Sequence, residues 1–399
     1  MVLTKTHARR FLLLHHNLLP PRTLRGKAGA LDFVRKVGCI QFDPLDMVGP
    51  NPHLVLQSRI KGYRAALLDE LLYRDRALVD AFDKNLAIYP ASDWPLFARY
   101  REDARQWYGH EGRAHVPMLD DVRAEVASRG PLCSGDLEPG EKVRWPWGAT
   151  NASRACLESL YFWGEMVVHH KAGTRKFYDL ACRHLPADLL AAPDPNTSED
   201  DYYAWHVHRR VGSVGLLANR ASDAWLGIHG GLKAGARSAA FERLTGEGRL
   251  LAVDVEGIPA PCYVRAQDEP TLQAALAEPV ATQAEAAFLA PLDNLLWDRK
   301  LIRELFGFDY TWEVYKPAQQ RQYGYYVLPV LCGERFAARM EPRFNRKTKE
   351  LSILNWWWEP DMRPDRATLA ACRRAMKDFS AYLGALTVQG SEKIDAPGR

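Results

Sequence analysis

The chain has 399 residues and a mass of 45.2 kDa, with 47% apolar and 26% charged side chains, which excludes a single small module and a fibrous or disordered chain. Its formal net charge of +4 is too small, taken alone, to indicate a polyanionic partner, and its apolar runs are too short to span a bilayer. Seven cysteines stand singly, with an odd total and no C-x-x-C pair, as in a protein of a reducing compartment. Phe11 to Leu14 is too short an apolar stretch for a signal peptide, so the expected location is the cytoplasm.

Apolar periodicity predicts a helix near residues 4 to 18, a break at Pro20-Pro21, and a second helix from Ala28 to Val37 with Leu31, Val34 and Val37 on one face. The chain then turns extended through Gly38-Cys39-Ile40-Gln41-Phe42-Asp43-Pro44, followed by a loop and a return segment from His53 to Tyr63. Ala65 to Arg105 reads as mostly helical. A helix from Asp120 to Ser128, a Pro/Gly-rich insert around Glu138 to Trp147, and a helix from Ala152 to Leu160 come next. Met166 to His170 and Lys176 to Tyr178 then form the two arms of a hairpin turning at Gly173.

Helix, turn, helix and hairpin, in that order, make a winged helix-turn-helix. Glu158, Leu160, Gly164, Met166 and Gly173 recur 84 positions later as Glu242, Leu244, Gly248, Leu250 and Gly257, which predicts a second such unit. Val34, Gly38 and Ile40 repeat part of the spacing and predict a third at the start, with Gln41 and Asp43 on its wing. Glycine after the helix supplies a left-handed cap, and glycine at the hairpin tip a tight turn. The stretch Ala192 to Asp201 reads as linker; beyond residue 285 alternating segments predict an antiparallel sheet closed by a helix from Arg366 to Leu386, and Ser391 to Arg399 reads as frayed. The fold class is therefore α+β: winged helices at 1–64, 113–190 and 205–285, a helical linker region at 65–112, a linker at 191–204, and a C-terminal β-rich domain at 286–399.

Charge is unevenly distributed. Residues 1–64 contain eleven Lys and Arg against three acids, a local surplus of +8 in a chain whose total is +4. A basic winged helix is an electrostatic footprint for a phosphate backbone, with a solvated charged face as the plainer alternative. Contacts to DNA are expected from Arg35, Lys36, His53, Arg59, Lys61, Arg64, Lys316 and Arg321. A second basic patch, Arg335 to Lys349, lies near Tyr315, Tyr323 and Tyr325 in sequence. Within the first basic region an extended strand would carry Gln41 and Asp43 on one face and aim Phe42 at the core. A carboxylate there opposes phosphate binding, so it either does chemistry or pairs with Arg35, Arg59 or Lys61. The histidine pairs lack a second pair at ligand spacing, and no phosphate-loop, dinucleotide or nucleophile-elbow motif occurs; no metal and no cofactor are expected.

Four stretches resemble a known family: Ile40 to Asp43, Phe82-Asp83-Lys84, Leu292-Asp293-Asn294-Leu295-Leu296-Trp297-Asp298-Arg299, and Arg321 to Pro329. Together they are similar to the bacterial winged-helix DNA glycosylases of the AlkZ/YcaQ type, over nearly the whole chain. That family divides by a catalytic tripeptide, Q-x-Q in a branch devoted to a natural-product crosslink and Q-x-D in a broader one. Asp43 places this chain beside the second. The resemblance implies three tandem winged helices and a C-terminal β-rich domain around a concave DNA-binding surface. It also implies catalysis by Gln41 and Asp43, with excision of N7-alkylated purines from double-stranded DNA and unhooking of interstrand crosslinks. Asn85 to Pro90 is less sharply patterned, and no role is carried over to it. A monomeric, monofunctional enzyme is expected, since no lysine need act as nucleophile. The alternative reading of the same residues is a non-enzymatic winged-helix transcription regulator.

Overall fold

A computed structural model describes residues 1–146, 148–277 and 284–395, and the chain divides into two compact units. One gathers Met1–Leu68, Asp83–Ala87 and Asp200–Arg399; the other gathers Asp69–Phe82 and Ile88–Glu199. Both mix helices and strands, as expected.

In the first unit, Thr4 caps the helix Lys5–His15 by accepting the His7 N–H at 3.1 Å. This helix buries Phe11, Leu12 and Leu13 in a core shared with Leu216, Val264, Leu301 and Phe336, so segments far apart in sequence close one interior. Val2–Leu3 pairs in parallel with Leu250–Val255, Val2 opposite Asp254, and Cys262–Arg265 and Leu217–Ala218 complete a four-stranded sheet. A second sheet runs in the order Ala286–Phe288, Leu328–Cys332, Arg335–Asn345, Glu350–Trp358, Thr387–Gln389. It is antiparallel except for its last pair, which is parallel. The helix Arg366–Leu383 packs on it, with Phe379 edge-on to Phe288 at 5.4 Å.

The second unit has its own core, in which Leu119, Val122 and Val126 of helix Leu119–Arg129 meet Leu157 and Leu160 of helix Ala152–Phe162. The hairpin Met166–Ala172 and Arg175–Leu180 follows, Met166 opposite Leu180. The helix–glycine–strand corner therefore occurs at each of the three repeated positions. Gly38, Gly164 and Gly248 follow helices ending at Val37, Phe162 and Gly246, with φ of +80°, +77° and +69°. A side chain there would be strained, which is why the spacing is legible as a repeat.

Four expectations are corrected. Residues 65–105 are not mostly helical: a hairpin, Leu78–Asp83 with Asn85–Pro90, interrupts them and carries the chain between the units. Two six-residue, β-prone runs meet at Asn85, whose φ of +55° asparagine tolerates. The insert before residue 152 contains a hairpin of Lys142–Trp145 and Gly148–Asn151. Residues 312–327 form short helical turns at Glu313–Tyr315 and Ala318–Gln320 instead of strands, and the sheet resumes only at Leu328. Ser391–Ile394 makes a helical turn that buries Ile394, so that stretch is not frayed; residues 396–399 of the same expectation lie outside the described residues.

Candidate active site

Gln41 ends the two-residue strand Ile40–Gln41. The next residue, Phe42, donates its N–H to Leu86 O at 2.8 Å, so the strand's neighbour is Asn85–Pro90, the stretch to which no role had been transferred. Residues 53–63 do not supply it, because Asn51–Gln57 is helical, with Pro52 in the first turn where its missing N–H is harmless. Pro44 cannot donate to a ladder, and Asp43 opens a turn whose Oδ1 accepts the Leu45 N–H at 2.9 Å. The picture of Gln41 and Asp43 alternating along one strand face with Phe42 in the core is thus replaced. Gln41 is buried at the strand end, Phe42 is half-buried, and Asp43 sits half-buried in the turn beyond.

Three carbonyls leading to this turn are each held by a side chain from elsewhere. Arg209 donates to Gly38 O at 2.9 Å, Asn294 to Cys39 O at 2.9 Å, and Asn51 to Gln41 O at 2.8 Å. Asn51 also accepts the Leu292 N–H at 3.0 Å, so one buried amide ties the strand Ile40–Gln41 to the chain segment around Asp293. Arg209 and Arg210 share the Asp83 carboxylate at 2.6 Å each. Burial alone would raise the Asp83 pKa, but the two guanidinium groups overcome it and hold the carboxyl below its ordinary range. Asp83 and the Leu292–Asn294 stretch therefore support the site from behind. Asn294 lies in one of the stretches that carry the family resemblance, whereas Asn51 and Arg209 carried no signal that sequence reasoning detected.

Burial raises the Asp43 pKa, and the Leu45 N–H pulls it back only in part. Among the described residues Asp43 makes no ion pair, so pairing with Arg35, Arg59 or Lys61 is not found. Its charge reaches the loop 313–326, where burial first and Asp43 second raise the pKa of the Tyr315 hydroxyl, and Asp43 also acts on buried Tyr326. Glu313 organises that loop by accepting the N–H groups of Gln322 at 3.1 Å and Tyr323 at 2.9 Å and the Lys316 ammonium at 2.8 Å. These donors outweigh burial and hold Glu313 down to about 2.

The expected DNA contacts fall into two groups. Arg35, Lys61 and Arg64 are exposed. Lys36 is half-buried beside Asp268 and Arg265, and His53 Nδ1 is hydrogen-bonded to the Tyr63 hydroxyl at 2.7 Å. Lys316 is paired with Glu313, and Arg321 donates to Lys316 O at 2.9 Å while lying 4.9 Å over the Tyr325 ring. Arg59 is withdrawn as a phosphate contact: it has no exposed surface, and it grips Asp293 through both terminal nitrogens, at 2.8 and 2.6 Å. Among the described residues no group of three or more His, Cys, Asp or Glu is placed to hold a metal ion, and no helix is long and apolar enough to cross a membrane.

The family model described as "DNA glycosylase AlkZ-like" matches residues 34–379. The chain belongs to the AlkZ-like DNA glycosylase family. It is a DNA repair glycosylase acting on DNA, and the regulator alternative falls with that membership. Its fold is similar to that of the Streptomyces sahachiroi DNA glycosylase AlkZ, with a TM-score of 0.62 at 16% identity over 98% of this chain and 99% of that one. Gln41, Asp43, Asn51, Asp83, Arg209 and Asn294 of this AlkZ-like glycosylase all lie inside the matched span.

Proposed function

We propose that this AlkZ-like glycosylase hydrolyses the N-glycosidic bond of N7-alkylated purines, including guanines tied into interstrand crosslinks, with Asp43 and Gln41 as the catalytic pair. The carrying observation is Asp43 itself, a half-buried carboxylate with no cationic partner among the described residues, on a turn beside a strand end fixed by three side-chain tethers. Alkylation at N7 makes guanine a cationic, good leaving group, so the protein has mainly to stabilise an oxocarbenium-like sugar and deliver water. Asp43 is suited to both tasks, facing the developing positive charge and taking the proton from water. Gln41, with one acceptor and two donors, is suited to holding that water. No lysine nucleophile is required, so the reaction ends at an abasic site.

A carboxylate on a turn also suits a base that is tied to the opposite strand and cannot swing fully into a deep pocket. The three glycine corners support winged-helix units at 1–64, 113–190 and 205–285, with exposed Arg35, Lys61 and Arg64 as phosphate contacts of the first. One chain then offers several DNA contacts, which favours a monomer. The test is metal-free incubation with duplex carrying N7-methylguanine or a nitrogen-mustard crosslink. Wild type should leave alkali-labile abasic product, whereas Asp43→Asn should bind the duplex and leave none. Product from Asp43→Asn, or parallel loss of binding and excision, overturns the assignment.

A further inference from the structure

The loop 313–326 holds four tyrosines, and three of them are buried or half-buried with a cation or the core against the ring. Tyr326 is 1% exposed. Tyr323 has the Arg339 guanidinium 4.2 Å over its ring and Trp357 edge-on at 5.4 Å, and Tyr325 has Arg321 at 4.9 Å. Tyr315 differs. It is 83% exposed, and its ring contact with Trp312, T-shaped at 5.8 Å, occupies at most one face, so a face stays open to solvent.

The backbone beneath the ring is anchored: Tyr315 closes the helical turn Glu313–Tyr315, whose first residue holds the N–H groups of Gln322 and Tyr323, and Trp312 packs in turn on Tyr326 at 6.1 Å. The local charge also has a sign. The Lys316 ammonium is neutralised by Glu313 at 2.8 Å, and Asp43, which makes no ion pair among the described residues, acts on the Tyr315 hydroxyl. An open, electron-rich ring beside such a carboxylate attracts a flat cation and gives a neutral base of equal size less.

We infer that Tyr315 is the stacking platform for the damaged base, and that its ring selects positively charged purines over neutral purines of the same shape. This rests on the reading above that the substrates are N7-alkylated purines, which carry that charge. A base stacked there loses water from one face as the Asp43 turn approaches its sugar, so recognition and chemistry act on the same nucleotide.

The test uses full-length wild type, Tyr315→Phe and Tyr315→Leu, and two duplexes differing at one base. One carries 2′-fluoro N7-methylguanosine, which is cationic and resists cleavage; the other carries 7-methyl-7-deazaguanosine, its neutral isostere. Wild type and Tyr315→Phe should prefer the cationic duplex to the same degree. Tyr315→Leu, apolar but without a π face, should lose roughly tenfold of that preference while its affinity for the neutral duplex changes little. An undiminished preference in Tyr315→Leu overturns the inference. Equal weakening on both duplexes also overturns it, because Tyr315 would then be a wedge against bases in general. Excision of N7-methylguanine by wild type, with either of those results, sinks the inference alone. A wild type that neither excises N7-methylguanine nor prefers the cationic duplex sinks the underlying reading and the inference with it.

Discussion

After Gly248 the chain runs six residues as Leu250–Val255, folds back, and satisfies its carbonyls with Cys262–Arg265 in antiparallel register. After Gly38, which follows its helix in the same left-handed way, the strand lasts two residues, and its neighbour comes from Asn85–Pro90. The two corners begin with one local device and part within a turn of chain. Where a return strand is present, main chain answers main chain and the result is a stable hairpin. Where it is cut short, Arg209, Asn294 and Asn51 answer the carbonyls instead, and the residues just past the strand are released into a turn that displays a carboxylate. The corner that carries the proposed catalytic pair is thus a hairpin start whose ladder has been replaced by side chains.

The largest expected effect separates the two corners by chemistry. Asp43→Asn should lower excision by at least about 10²-fold, since the group that balances developing charge and accepts the proton is gone. The amide oxygen still accepts the Leu45 N–H, so the turn survives. Because burial raises the Asp43 pKa in the folded state, the fold opposes its ionised form above that pKa, and stability falls as pH rises through it. Asp43→Asn removes this burden, so at neutral pH its melting temperature should equal or exceed that of wild type. For the same reason the acid limb of the wild-type rate profile should lie above about pH 4, the ordinary aspartate range. A limb at or below that value breaks the assignment of Asp43 as base.

Next is the buried pair behind the catalytic corner. Arg59→Met leaves Asp293 buried and charged without a partner, which should cost about 3–5 kcal/mol of stability by denaturant titration. Asn51→Ala leaves the Gln41 carbonyl and the Leu292 N–H unpaired, at about 1–3 kcal/mol each. It should also lower kcat with KM little changed, because the catalytic strand end loses its tether while the DNA contacts remain. The smallest effect compares the glycines. Gly248→Ala meets no atom within 4 Å and should cost only the strain of positive φ, about 1–2 kcal/mol, without loss of excision. Gly38→Ala places its Cβ 3.1 Å from the Arg209 guanidinium carbon and should cost more, with a fall in kcat. Equal behaviour of the two alanines would mean that the corners differ less in function than in outline.

Features that depend on neighbours in sequence were legible. The corner glycines, the helix Lys5–His15 and the Gln41/Asp43 pair announce themselves within a few residues. The tethers do not. Asn51 meets Leu292 across 241 positions, Asn294 meets Cys39 across 255, and Arg209 meets Gly38 across 171, and a lone amide or guanidinium bears no local mark of such a partner. Charge counting singled out the region of the proposed site and misassigned Arg59, since a sum of charges cannot tell a solvent-facing arginine from one sealed against Asp293. Arg10 and Arg22 were counted in the same basic surplus and are likewise engaged internally, with Glu334, and with Glu285 and the Ser58 carbonyl. The hairpin at 78–90 was hidden because its runs are short and sit among helical stretches.

The long reach of the tethers sets an order of assembly. On the ribosome Gln41 and Asp43 emerge early, but the Leu292 N–H, the Asn294 amide and the Asp293 carboxylate arrive about 250 residues later, and Val2–Leu3 waits for Leu250–Val255 before it joins a sheet. A prematurely terminated chain therefore carries Gln41 and Asp43 without the tethers that fix the strand end beside them.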